Sequence, residues 1–330
     1  MPLTAGFSVV AIIAAYNEAD VIGHVVADLI AQDVQVYLLD DGSTDGTVAA
    51  VEPYLDRGVI GIERLADPGP GRFEWGRILR RKAELARTLD ANWFIHHDAD
   101  EFRESPWPHV ALNAAIKLVD ACGFNAIDFE CLDFWPVHDG FRAGQDVREA
   151  FTFHAPAAPH DRVQIRCWKK TDALVDLASR GGHEVLFPDR KVFPGRFILR
   201  HYPIRGQAHG ERKVFHERRP RFVEEERARG WHVQYDDVVE GASFIRDPST
   251  LVPYDADQVR IRLALRHRGV EELEQALELA RAESDALRCE IDRLGAAVAE
   301  SARRIDELYD SRSWRWTAAA RALYRVIRNR

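Results

Sequence analysis

WFIHHDADEF, residues 93–102, sets five ionisable side chains directly behind three apolar ones. The ionisable residues are His96, His97, Asp98, Asp100 and Glu101. The apolar beginning is typical of a buried strand, so the charge falls where that strand ends. In an open α/β sheet, ligands bind in the crevice at the carboxyl ends of the strands. The stretch is therefore a first candidate for a binding site.

Two earlier stretches have the same design. AIIAAYNE (residues 11–18) and VYLLDDGS (residues 36–43) are apolar runs that end in polar and acidic residues. Strand-like and helix-like segments alternate up to this region, which predicts an α/β fold with an open, mostly parallel sheet and helices on both faces. Carboxylates packed at one edge repel each other unless a cation or hydrogen-bond donors offset their charge. The simplest cation is Mg²⁺ or Mn²⁺, which favours carboxylate oxygens.

The first strand and helix can be predicted in detail. Val9–Ala15 is a continuous apolar run, as expected for a strand buried on both faces. Asn17 is predicted to cap the helix that follows, with Glu18 and Asp20 in its first turn. Apolar residues then recur at helical spacing, at Ile22, Val25, Val26 and Leu29.

Three motifs carry a resemblance to a known family. AAYNEADVIGHVV (residues 14–26), LLDDGSTDGT (residues 38–47) and DAD (residues 98–100) occur in an order and spacing that resemble the family 2 glycosyltransferases with the GT-A fold. The resemblance is good over the first hundred residues and looser to about residue 255. The DDGS motif is quite specific to this family. A DxD motif alone is weak evidence, but one that follows DDGS by about sixty residues is strong evidence.

The resemblance implies a role for each matched residue in binding a nucleotide-sugar donor. Asp41 would hydrogen-bond the base, Tyr16 would line or stack on it, and Glu18 would lie near the same pocket. Asp98 would reach the ribose. Asp100 would bind the divalent metal, Mn²⁺ or Mg²⁺, that holds the diphosphate. A metal acting as a Lewis acid suits a reaction whose leaving group is a diphosphate.

The resemblance also implies a catalytic carboxylate and a histidine ligand. Family 2 enzymes of this type invert the anomeric centre, and a carboxylate deprotonates the acceptor hydroxyl. Glu184 in SRGGHEVLF is the preferred candidate for this base, and Asp133 in ECLDFWP is the alternative. His201, at the end of a later predicted strand, is the candidate for completing the metal shell, ahead of His209 and His216.

A basic helix is predicted between the third and fourth strands. Its cations are Arg77, Arg80, Arg81 and Lys82. They would either add positive charge to the site or form a solvated helix face.

Composition limits the classes of partner and compartment. The net charge of −8 argues against a nucleic-acid binder, which would need a basic face. Four cysteines lie without CxxC spacing, so neither a zinc site nor a redox pair is indicated, and a reducing cytoplasm fits. The apolar stretch at residues 7–16 is too short to span a bilayer and lacks the features of a signal peptide.

The last sixty residues have a different pattern. Residues 270–308 carry a heptad seam with mostly charged flanks, which predicts a coiled coil and a homo-oligomer. No acidic residue follows Asp310, and six arginines lie between Arg312 and Arg330 together with tryptophan, tyrosine and leucine. Such a tail suits peripheral contact with a membrane, although a protein partner and a disordered tail are the alternatives.

These observations divide the chain into four predicted segments. Residues 1–102 form the donor half of the GT-A domain, 103–255 the acceptor half, 256–310 the coiled-coil region and 311–330 the basic amphipathic tail. The predicted function is transfer of a sugar to a glycan or lipid-linked acceptor, as in polysaccharide biosynthesis, by a cytoplasmic enzyme that lies at the inner face of the membrane when its tail binds there. The alternatives are a non-catalytic nucleotide-binding coiled-coil protein and a nucleotidyltransferase, but AAYNEAD lacks the glycine-rich, basic loop that the latter uses.

Overall fold

A computed structural model describes residues 6–66, 69, 72–156, 163–232, 236–265 and 268–328. The chain divides into two compact units, residues 1–268 and residues 269–330. The division into four functional segments stays a prediction.

Eleven strands are described in the first unit. They are β1 (Val9–Ala15), β2 (Gln35–Asp40), β3 (Val59–Arg64), β4 (Trp93–Asp98), β5 (Glu101–Glu104), β6 (Ala126–Ile127), β7 (Phe129–Phe134), β8 (Phe153–Pro156), β9 (Cys167–Lys169), β10 (Phe197–His201) and β11 (Val252–Pro253).

The principal α-helices of this unit lie between those strands, except that the last one follows β11. They are α1 (Ile22–Ala31), α2 (Thr47–Val51), α3 (Trp75–Thr88), α4 (Leu112–Ala121), α5 (Val147–Ala150), α6 (Gln207–Glu211), α7 (Glu224–Arg227) and α8 (Ala256–Leu265). A π-helical segment, Arg212–Arg218, directly follows α6.

The first sheet has the strand order β3-β2-β1-β4-β9-β6. Strands β3, β2, β1 and β4 run parallel, and β9 is antiparallel to both of its neighbours. Ala15 pairs with Asp40 and Ala14 pairs with Asp98, so β1, β2 and β4 end at one level. The predicted open, mostly parallel α/β sheet is confirmed.

The second sheet has the order β11-β8-β7-β10-β5. Within this sheet, β10 lies between β7 and β5 and runs parallel to β7 and antiparallel to β5. His201 at the end of β10 pairs with Asp133 on one side and with Glu101 on the other. The second sheet thus brings three polar residues from distant parts of the sequence side by side.

Strand β1 is buried on both faces. Val9, Ala11 and Ile13 pack in one apolar cluster, which includes α1 and α4, whereas Val10 and Ile12 pack in another, which includes α3. This two-sided burial is why the strand reads as an unbroken apolar run instead of an alternating one. It also confirms helices on both faces of the sheet.

The predicted cap of α1 is wrong. Helix α1 begins at Ile22, and Asn17 lies before it with a left-handed φ of 55°. The Asn17 side chain is used elsewhere, because its Oδ1 accepts a hydrogen bond from Thr44 N (2.9 Å) and its Nδ2 donates one to Glu217 (2.9 Å). The predicted apolar face of the helix is confirmed, since Ile22, Val25, Val26 and Leu29 are buried.

The second unit is helical. Its helices are α9 (Arg268–Asp310), α10 (Arg312–Trp316) and α11 (Ala318–Arg328). Helix α9 runs unbroken through the heptad seam, and the seam residues Ile291 and Val298 are exposed in the single chain. The continuous helix is confirmed, and its pairing in a coiled coil stays a prediction. Among the described residues, no helix is both long and apolar enough to cross a membrane.

Candidate active site

The carboxyl ends of β1, β2 and β4 form one edge of the first sheet. The turn after β2 is fixed locally, because Asp40 Oδ1 accepts a hydrogen bond from Ser43 N (3.1 Å) and Gly42 adopts a φ of 87°. The hydrogen bond from Thr44 to Asn17 then ties this turn to the end of β1. Sequence and register therefore place the DDGS and YNE motifs against each other.

Asp100 lies in a buried network of charges. Its Oδ2 accepts a hydrogen bond from Lys213 Nζ (2.8 Å), and its Oδ1 lies 3.7 Å from His201 Nε2. Lys213 also donates to Glu18 (3.2 Å), which forms a second ion pair with Arg205. Burial alone would raise the pKa of Asp100, but Lys213 and His201 hold that pKa well below its usual value.

Asp98 lies in a second part of the same network. Arg166 Nη1 donates to Asp98 Oδ2 (2.9 Å) and to Glu101 Oε1 (2.7 Å). Glu101 also accepts from Arg103 (2.7 Å), which is fully buried. Burial would raise the pKa of Asp98, but the positive charge around it holds that pKa well below its usual value.

Basic side chains therefore stabilise the carboxylates that the sequence places at this edge. Arg166, Arg205 and Lys213 were not identified from the sequence. They come from the second half of the chain, far from the acids that they contact, and no motif marks them. The available signal was indirect, because buried carboxylates require cationic or hydrogen-bonding partners.

The residues at Asp100 also fit a divalent metal ion. Asp100 Oδ1 and His201 Nε2 lie 3.7 Å apart, and two ligands at about 2.1 Å from one ion can be separated by up to about 4.2 Å. His201 Nδ1 donates to Asp133 Oδ1 (2.7 Å). A carboxylate on the second ring nitrogen is the usual way to orient a histidine ligand. Cys131, Asp133 and His201 also form a compact group of possible metal ligands.

The charge state of His201 follows from the same neighbours. Burial lowers the pKa of His201, but Asp100 and Asp133 more than offset this and raise it to about 10. His201 is thus a cation at neutral pH in the metal-free protein. Together with the basic side chains described above, it offsets the charge of the carboxylates.

Asp41 and Tyr16 lie together beside two arginines. Asp41 Oδ1 accepts from Arg77 Nη2 (2.6 Å), and Arg221 Nη2 lies 3.5 Å from Asp41 Oδ2. The Arg221 guanidinium also covers the Tyr16 ring, 3.9 Å from its centroid. Burial raises the pKa of Asp41 despite Arg77 and Arg221. The two residues predicted to recognise a base are therefore neighbours.

The predicted cations of α3 have separate environments. Arg77 binds Asp41, Arg81 binds Glu63 (2.8 Å), Arg80 is exposed, and Lys82 is fully buried. The helix is thus neither a uniform solvated face nor a single phosphate-binding surface.

Glu184 lies apart from the acid network. Its carboxylate accepts from Arg190 (2.6 Å) and lies 3.8 Å from Arg180. Its neighbour His183 contacts Arg166, whose guanidinium Nη2 lies 3.4 Å from His183 Nδ1. Asp133, the alternative base, is engaged by His201. The assignment of the base stays a prediction for both carboxylates.

A cavity of about 570 Å³ opens beside the turns that follow β1 and β2 and beside Arg205. Its lining includes Asn17, Thr44, Asp139, Arg205, His209 and Glu217. Its size is within the range of small-molecule sites. His209 accepts a hydrogen bond from Arg205 N (3.1 Å), and its pKa falls to about 2 because burial and two nearby cations disfavour its charged form.

Lys82 adds a titratable group beneath Asp98. Its Nζ donates to His97 O (2.7 Å) and contacts His96 Nδ1 (2.7 Å), and it lies 3.9 Å from Asp98 Oδ1. Burial lowers the pKa of Lys82 to about 7, although Asp98 opposes this shift.

We expect Lys82 to make the stability of the protein rise with pH. An unfolded lysine titrates near 10.4, so between about pH 7 and pH 10 the unfolded chain binds a proton that the folded chain lacks. The free energy of unfolding then rises by up to about 1.4 kcal/mol per pH unit from this group. Urea unfolding at pH 7, 8 and 9 should show a smaller rise in Lys82→Met than in the wild type.

The matched control is Lys117→Met, which removes an exposed lysine of α4. This variant should keep the wild-type pH dependence. Equal pH dependence in Lys82→Met and the wild type would contradict the assignment, whatever the absolute stability of the variant.

Residues 10–153 match the model of the glycosyl transferase family 2. The match includes all three motifs at the edge of the first sheet. Over this segment the chain is similar to glycosyl transferase family 2. No curated protein matches the chain significantly.

Several solved structures are loosely similar. Staphylococcus aureus TarS 1-349, in complex with UDP, is 14% identical, with 60% of this chain and 61% of that chain covered and a TM-score of 0.35. Glucosyl-3-phosphoglycerate synthase from Mycobacterium tuberculosis, with Mn²⁺, UDP and glucosyl-3-phosphoglycerate, is 20% identical, with 40% and 45% covered and a TM-score of 0.26. The chain spans less than two thirds of either structure. Likeness at these scores says nothing of the ligands of this chain.

Proposed function

We propose that the chain is a metal-dependent, inverting glycosyltransferase that moves a sugar from a nucleotide-sugar donor to a hydroxyl of a glycan or lipid-linked acceptor. The observation that carries this proposal is the juxtaposition of Asp100 and His201 at the edge where β1, β2 and β4 end. The family 2 match over residues 10–153 supports the same class of reaction.

The leaving diphosphate would be stabilised at Asp100. A divalent ion held by Asp100 Oδ1 and His201 Nε2 would supply Lewis-acid stabilisation of the leaving charge. Lys213 is a buried cation that contacts Asp100, and Arg205 is a buried cation that contacts Glu18, so both are placed to share that role. Asp133 would act as a positioning residue, since it fixes the ring of His201 through Nδ1.

The nucleoside would lie toward Asp41 and Tyr16. Asp41 offers a carboxylate to an N–H of the base, and Tyr16 offers a ring face for stacking. The guanidinium of Arg221 covers one face of the Tyr16 ring. The base must therefore either displace this guanidinium or stack on its outer side. Asp98, at the end of β4, would accept a hydrogen bond from the ribose.

The chemical step would be a single displacement. The acceptor oxygen bonds to the anomeric carbon, the bond from that carbon to the phosphate oxygen breaks, and the acceptor proton passes to a carboxylate. Glu184 is the preferred base. Its ion pair with Arg190 would have to loosen when the acceptor binds, since a carboxylate so engaged is a weaker base.

The test is a calorimetric titration of UDP, GDP and dTDP into the protein, with and without Mn²⁺. We expect one nucleotide to bind in a Mn²⁺-dependent way. Asp41→Asn should weaken its binding by at least about tenfold, because the base would lose a hydrogen bond to a charged group. The control is Asp90→Asn, an exposed aspartate just before β4 at the opposite edge of the sheet.

Absence of binding for all three nucleotides, in either condition, would overturn the proposed donor site. A non-catalytic assembly protein would then be the better description. Tight binding that is indifferent to Mn²⁺ would overturn only the metal dependence.

A further inference from the structure

Helix α11 (Ala318–Arg328) has two chemically distinct faces. At about 100° per residue, Arg321, Arg325 and Arg328 fall within about 60° of one another on the helix surface. Leu323 and Ile327 lie on the opposite side and are 64% and 66% exposed. Among the described side chains, the helix therefore has an exposed apolar face and, on the opposite side, a basic face.

The preceding helix adds aromatic side chains to the same segment. Trp316 in α10 is 89% exposed, the most of the exposed large apolar side chains described. Trp314 is partly covered, because the guanidinium of Arg321 stacks 3.6 Å from its ring centroid. Tryptophan rings near basic residues suit the headgroup level of a bilayer, where an apolar ring and a polar N–H are both accommodated.

The charge of this segment differs sharply from that of α9. In α9, basic residues pair with acids one turn away, as in Arg293 with Glu290 (2.6 Å) and Arg304 with Glu300 (3.2 Å). From Ser311 onward the sequence has arginines and no acid. A second copy of the segment would bring the same positive charge, so self-pairing is opposed and an anionic surface is favoured.

We propose that residues 311–328 bind flat on the surface of an anionic lipid bilayer. Trp316, Leu323 and Ile327 enter the boundary between headgroups and acyl chains, and the arginines contact lipid phosphates. The mixed charge of α9 keeps the preceding helix off the surface. The inference is independent of the proposed transfer reaction, because it depends on the second unit alone.

The test is co-sedimentation of the full chain with vesicles of phosphatidylcholine alone or with added phosphatidylglycerol. We expect binding only to the anionic vesicles and weakening by salt. The triple variant Arg321→Gln, Arg325→Gln, Arg328→Gln should bind about a hundredfold more weakly. This follows because each arginine near an anionic surface contributes about 1 kcal/mol of binding free energy. The double variant Leu323→Ser, Ile327→Ser should also lose binding.

The matched control is Arg293→Gln, Arg303→Gln, Arg304→Gln, which removes the same charge from α9. It should bind vesicles as the wild type does. Equal binding of wild type and the α11 triple variant would overturn the proposal, as would equal binding to neutral vesicles. A change of oligomeric state in the Leu323 and Ile327 variant without anionic vesicles would overturn it too, by showing that a protein covers this face. Nucleotide titration of the α11 variants should be unchanged, which separates this test from that of the transferase site.

Discussion

Replacing Asp100 with asparagine is expected to lower the turnover of glycosyl transfer by about a thousandfold, the scale on which loss of one electrostatic contact to a leaving group acts. The substitution keeps the shape of the side chain and removes the negative charge that faces His201 Nε2 at 3.7 Å. Lys213 keeps its contact with Glu18 at 3.2 Å, so the fold should survive. The measurement is the rate of nucleoside diphosphate release in the presence of Mn²⁺ and the donor identified by calorimetry.

The control for this experiment is again Asp90→Asn, which should retain wild-type turnover. Circular dichroism and thermal unfolding should show that Asp100→Asn remains folded. An Asp100→Asn protein with wild-type turnover would remove Asp100 from the reaction, and the metal site would have to be sought elsewhere. Loss of turnover with unchanged Mn²⁺-dependent binding would place Asp100 in the chemical step alone.

Replacing Arg103 with methionine should produce the largest loss of stability. Arg103 is fully buried, donates to Glu101 (2.7 Å) and to His96 O (3.0 Å), and packs 4.3 Å from the Phe129 ring centroid. Methionine preserves the packing but leaves Glu101 with Arg166 as its one charged partner in the network described above. Removing one member of a buried ion pair costs about 3–5 kcal/mol.

Urea denaturation at neutral pH measures this loss, with Arg87→Met as the exposed control on α3. That control should change the free energy of unfolding by less than about 0.5 kcal/mol. The double variant Arg103→Met, Glu101→Gln should recover part of the loss, because it removes the buried charge of Glu101 that has lost one of its two arginine partners. A loss below about 1 kcal/mol for Arg103→Met, or no recovery in the double variant, would contradict a dominant role for this ion pair.

The first sheet and its acidic edge could be predicted because short, local sequence patterns indicate both. The run Val9–Ala15 and the stretch WFIHHD each show a buried strand without reference to any distant residue. Parallel strands joined by helices then bring their carboxyl ends to one edge, whatever the details of the connections. This geometry predicted that Asp98, Asp100 and Asp41 lie at that edge, whereas the role expected of each came from the resemblance to the family 2 glycosyltransferases.

The partners of those acids could not be predicted, since they depend on tertiary contacts. Lys213 reaches Asp100 from a π-helical segment, and Arg166 reaches Asp98 from the chain before β9. The cap at Asn17 failed for a related reason. The Asn17 carboxamide accepts a hydrogen bond from Thr44 N in the neighbouring turn, and local helix propensity does not predict that contact. Position in the fold decided these contacts.

The bridge formed by Lys213 also constrains the sequence in which ligands assemble. Its ammonium already neutralises Asp100 and Glu18, at 2.8 and 3.2 Å. A free divalent cation would approach Asp100 when its charge is already neutralised by Lys213, and the Lys213 ammonium would repel that cation. In the proposed reaction, the diphosphate of the donor would bring negative charge that competes for Lys213 and would free Asp100. We therefore expect Mn²⁺ and the donor to bind together as one complex. In the first step, the Lys213 ammonium would exchange its contact with Asp100 for one with the diphosphate.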